Sequence, residues 1–106
     1  MEDLELTAFR IISAVGTARS RYIEAISAAK SGDYARAEKL MAEGSENFVE
    51  GHNAHLKLLE GEANGDNVIS LLILHAEDQL MSAEGFKIIA QEFIDVHKRL
   101  DGLAKQ

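Results

Sequence analysis

Apolar residues recur at alternating steps of three and four along nearly the whole chain, the spacing of one helix face. In the first segment Leu4, Ala8, Ile11, Val15, Ala18, Tyr22, Ala25 and Ala29 fall on one line. In the second, Tyr34, Ala37, Met41, Gly44, Phe48, Gly51, His55 and Leu58 do nearly the same. The third carries three stripes. One runs through Leu72, His75, Gln79, Ser82, Phe86, Ile89, Phe93, Val96 and Leu100, and reads as the core seam. A second runs through Ile69, Ile73, Ala76, Leu80, Ala83, Ala90 and Ile94, and a third through Leu71, Leu74, Met81 and Ile88, with Asp78 and Gly85 in it. Only Ser70, Glu77, Glu84 and Gln91 form a polar line.

Two breaks interrupt the pattern. Ser31-Gly32-Asp33 offers a helix-ending glycine and then an N-cap aspartate, and the stretch from Gly61 to Asn67 is turn-rich. The spacing predicts three helices, roughly 3–31, 33–62 and 67–101. Short connections make neighbours antiparallel, so the expected fold is all-α: an up-down-up three-helix bundle in a single domain over 1–106. A third helix apolar nearly all round needs more cover than two partner helices give. The surplus predicts a homo-oligomer built around it.

With 106 residues the chain has room for one modest core. It has no proline, which suits long helices, and no cysteine, which excludes a disulfide framework and cysteine-based zinc sites. No apolar run reaches the ~18 residues of a membrane span, and the acidic start MEDLEL is unlike a signal peptide, so the expected location is cytoplasmic. The net charge of −7 argues against nucleic acid and anionic membranes and suits partners with positive surfaces. There is no P-loop, GxGxxG, GxSxG or HExxH pattern.

Candidate chemistry gathers in LLILHAEDQLMSA. His75 and Asp78 lie three apart on one helix face, where a carboxylate can orient an imidazole or share a metal with other chains. A core histidine with Asp78 as its ion-pair partner is the structural reading of the same spacing. Gln79 and Ser82 share the stripe, and an amide or hydroxyl there could hydrogen-bond a phosphoryl oxygen or simply satisfy His75. His52 and His55 form an HxxH pair on helix 2. Together with His75 and Asp78 they could make a bundle-type metal site, or they could be ordinary surface histidines. Glu77, on the polar line, reads as facing away from that set.

The block LLILHAEDQLMSAE resembles the signature of the enzyme IIA component of the lactose/cellobiose family of the bacterial sugar phosphotransferase system. The similarity extends through ELTAFRIISAVGTARSRYIEAISAAKSGDYARAEKLMAEG, FVEGHNAHLKLLEGEANG and IIAQEFIDVHKR, so it covers almost the whole chain. It implies a homotrimer of three-helix bundles acting as a phosphotransferase component. His75 would accept a phosphoryl group from the histidine-containing phosphocarrier protein, forming a phosphohistidine. It would pass the group to a cysteine of enzyme IIB, for uptake through membrane enzyme IIC of a β-linked disaccharide of cellobiose, chitobiose or lactose type. On the stripe read above, Gln79 is the side chain placed to support that phosphoryl group. Asp78 from three chains would hold a divalent ion, usually magnesium (Mg2+), on the trimer axis. A two-component phosphotransfer bundle would carry lysine-glycine after the histidine, which this chain lacks.

Overall fold

The computed structural model describes residues 4–65 and 69–105, which form three helices: α1 (Leu4–Lys30), α2 (Tyr34–Ala63) and α3 (Leu71–Ala104). The expected starts at residues 3 and 67 lie outside the described residues. The first break is built as its residues dictate. Gly32 takes a left-handed conformation (φ 81°), and the Asp33 side chain accepts a hydrogen bond from the Arg36 backbone N–H as the α2 N-cap. At the second, Ile69 and Ser70 are not helical, and the Ser70 hydroxyl caps α3 by accepting from the Ile73 N–H. That cap sits later than the expected start, and α3 runs three residues past the expected 101.

α1 is the central helix of a rod 60 × 18 × 16 Å and lies against both others, while α2 and α3 meet over fewer residues. Val15 stands over Gly51 and Tyr22 over Gly44, so rising numbers in α1 meet falling numbers in α2. The core divides into two clusters along the rod. Ile11, Val15, Leu58 and Leu80 anchor one, and Tyr22, Leu40, Met41 and Ile94 the other. The expected seam of α1 is buried along its length, with Leu4 half-buried at its end.

The expected seam of α3 is not the buried one. Ala76, Leu80, Ala83, Ala90 and Ile94 face the core. The stripe through His75, Ile89, Phe93, Val96 and Leu100 faces outward, as does the stripe through Leu71, Leu74, Asp78, Met81 and Ile88. The cause is size. Three alanines let α3 settle close to α1, which the bulkier stripes would prevent. The two outward stripes merge into one broad apolar face opposite the core, to which Leu103 also belongs.

Candidate functional site

Position within α3 decides what each candidate side chain meets. His75 lies one turn beyond the Ser70 cap, at the edge of the outward apolar face, and is exposed. Asp78 is exposed on the same face, one turn on. Among the described residues neither makes a hydrogen bond or ion pair, so Asp78 does not hold the imidazole and His75 is no satisfied core histidine. Gln79 and Ser82 are half-buried and follow His75 along one line of the helix. Phe86 continues that line, and the Arg19 guanidinium from α1 sits 4.9 Å from its ring centroid. His75 is thus an open imidazole with an amide and a hydroxyl on the next two turns and a cation over Phe86 on the third.

The two histidines of α2 stand apart from this line. His52 is exposed, its ring 6.2 Å from that of Phe48. His55 is mostly buried, and its Nε2 lies 3.6 Å from Glu77 Oε1 on α3. Glu77 therefore faces α2, against the expectation that it turns away. Residues two apart on a helix project to nearly opposite sides, so this contact ties α2 to the flank of α3 away from His75. Sequence reasoning missed the tie because the register between two helices leaves no local mark.

The expected metal chemistry is overturned. Among the described residues, no group of three or more His, Cys, Asp or Glu side chains is placed to hold a metal ion. His52 lies tilted beside Phe48, His55 is engaged with Glu77, and His75 and Asp78 project outward, so the four do not converge. Among the described residues Asp78 belongs to no group of three or more such ligands, whereas magnesium takes several oxygen ligands in near-octahedral order. The residues present do not fit a Mg2+ centre, and neither magnesium nor the four-residue metal site is retained.

The whole chain has clear relatives. It is 36% identical over 99 residues to the lactose-specific EIIA component of the PTS system of Staphylococcus aureus (strain N315), covering 92% of this chain and 96% of that protein. It is 37% identical over 100 residues to the lichenan-specific phosphotransferase enzyme IIA component of Bacillus subtilis (strain 168), covering 93% and 91%. The crystal structure of the PTS cellobiose-specific enzyme IIA from Bacillus anthracis superposes with a TM-score of 0.90 at 38% identity, over 96% of this chain and 95% of that one. The solution structure of a IIA(Chitobiose)–HPr complex from Escherichia coli gives a TM-score of 0.83 at 33% identity, over 95% and 99%. The family profile of the PTS system lactose/cellobiose-specific IIA subunit matches residues 6–98, and the chain belongs to that family.

Proposed function

We propose that the chain is a single-domain phosphoryl carrier over residues 1–106, with His75 as its phosphorylated residue. The observation that carries this is the exposed His75 imidazole, without a hydrogen-bond or ion-pair partner among the described residues, on the outward face of α3. A neutral ring nitrogen offers a lone pair near pH 7, and an exposed one permits in-line approach. The ring nitrogen attacks the phosphorus of the donor's phosphohistidine. The new P–N bond forms as the donor's P–N bond breaks; the donor ring, protonated on its other nitrogen, leaves as neutral imidazole, and His75 keeps the N–H on its own other nitrogen. In the onward step a cysteine thiolate of enzyme IIB attacks the same phosphorus and His75 leaves. The Gln79 amide, one turn away, donates a hydrogen bond to a phosphoryl oxygen without adding negative charge.

The relatives' names supply the setting. One is solved in complex with HPr, which supports a histidine-containing phosphocarrier protein as donor. Others are described as lactose-, lichenan- or cellobiose-specific, which supports a β-linked disaccharide taken up through enzymes IIB and IIC. The net charge of −7 suits partners with positive docking surfaces. The open face of α3 supports a homotrimer, with three α3 helices together and His75 at the edge of each contact.

The test is phosphorylation by phosphoenolpyruvate, enzyme I and the phosphocarrier protein, read by intact-mass spectrometry. The chain should gain one acid-labile phosphoryl group. His75→Ala should gain none while keeping its helical circular dichroism, and His52→Ala and His55→Ala should label normally. Labelling that survives His75→Ala would move the assignment elsewhere, and no labelling of the wild-type chain would leave it a non-catalytic helical adaptor.

A further inference from the structure

Glycine in a helix interior costs stability, so each such glycine asks for a reason. Gly44 and Gly51 have one inside the chain. A Cβ at Gly44 would stand 2.6 Å from Tyr22 Cε1, and one at Gly51 would stand 2.5 Å from Val15 Cγ1. Gly85 has none. It lies in the middle of α3, and a Cβ there would meet nothing within 4 Å.

Its position supplies the reason. From Leu71 to Met81 the outward apolar stripe advances by steps of three and four through Leu74 and Asp78. From Ile89 to Leu103 it does so again, but one residue out of phase with the first run. Gly85 is the junction, reached by a step of four from Met81 and left by a step of four to Ile89. The combined stripe keeps close to the 3.6-residue period of a straight helix, and Gly85 sits at its centre in both length and width. The occupant of such a face is another helix of matching period. The nine large apolar side chains on it are about half exposed or more, on the order of 1,000 Å2 per copy, against the ~800 Å2 that each partner contributes to a standard interface.

We propose that Gly85 is the point of closest approach between the α3 helices of separate copies of this chain. The proposal rests on the self-association put forward above. Two helices lying across one another touch most closely at one point, and the side chain there sets their separation. With bulky side chains before and after it, a glycine at mid-face lets the backbones meet and allows Met81 and Ile89 to pack around the crossing. A β-carbon at 85 pushes the helices apart and loosens both halves of the seam.

Sedimentation equilibrium of the full chain tests it, with variants Gly85→Ala, Gly85→Leu and Gly102→Ala. Gly102 is on the same helix, off the stripe, with open space around its own Cβ position. Gly85→Ala is expected to weaken self-association at least tenfold and Gly85→Leu further, with helical circular dichroism retained, while Gly102→Ala associates like the wild type. A Gly85→Ala chain that associates as tightly as wild type, or more tightly, overturns the proposal and leaves the assembly standing. A wild-type chain that sediments as single copies overturns the assembly itself, and this role of Gly85 with it.

Discussion

Single atoms at the α1–α2 contact set how close those helices lie. Gly44 receives the ring of Tyr22, and a methyl group there would collide with Tyr22 Cε1 at 2.6 Å and Cδ1 at 2.9 Å, with the Ala18 carbonyl oxygen at 3.2 Å. Tyr22 is fully buried and backbone lies on the other side, so neither partner has room to give. Gly44→Ala is therefore expected to lower the unfolding free energy by about 1–3 kcal/mol in urea titration, despite alanine's better helix propensity. Tyr22 also buries a hydroxyl that, among the described residues, makes no hydrogen bond of good geometry, the nearby Ser45 falling short of it. Burial pushes that phenol's pKa up, with Ser45 pulling the other way. Tyr22→Phe keeps the ring that fills Gly44 and removes the unpaired group, so it should be neutral or stabilising by up to about 1 kcal/mol. A clear loss of stability in Tyr22→Phe would mean that the hydroxyl is satisfied in solution.

Among the helices, polar ties mark the α2–α3 contact. The Tyr34 hydroxyl donates to Asp101 Oδ2, Lys98 Nζ lies 3.1 Å from Glu38 and 5.6 Å from the Tyr34 ring centroid, and His55 meets Glu77 further along the rod. The hydrogen bond to Asp101, then burial, then the Asp101 charge push the Tyr34 pKa from 10.0 up to about 12. A folded-state pKa raised above the unfolded value gives stability that is complete below pH 10.0 and is lost as pH rises through about 12. Tyr34→Phe should thus melt lower than wild type at pH 8, with the gap closing as pH approaches 12. A gap that is constant across that range would assign the loss to packing rather than to the hydrogen bond. None of these ties was legible in the sequence, because each depends on the register between helices. What was legible is local: the seams of α1 and α2, the Gly32-Asp33 break, and the surplus of apolar surface on α3. The wrong choice of seam on α3 has the same origin. Periodicity ranks stripes by hydrophobicity, whereas packing chose the row with Ala76, Ala83 and Ala90 because small residues let helices close. His75, on the stripe that periodicity favours as the seam, stands outside for that reason, and the alternative of a metal set converging around it fails with the seam.

At the scale of the whole molecule, a thin rod leaves a broad face of large apolar side chains exposed on one side of α3, and Asp78 is the charge set among those of its first half. Asp78 is exposed among Leu74, Met81 and Leu71. When copies of α3 come together, each Asp78 loses water and approaches the others, and like charges in a drying interface oppose assembly. Asp78→Leu replaces that cost with apolar packing and should tighten self-association at neutral pH. Assembly that stabilises the folded chain also makes the melting temperature depend on concentration. The wild-type melting temperature should therefore rise between micromolar and hundred-micromolar protein. Asp78→Leu should reach the same plateau at lower concentration. Phosphorylation of His75 should continue in the variant, since Asp78 makes no hydrogen bond or ion pair to the imidazole among the described residues. An Asp78→Leu chain that stays helical but sediments as single copies, while wild type assembles, would show that the carboxylate contributes net assembly energy. The self-association of α3 would then depend on a polar contact at Asp78 rather than on the apolar face around it.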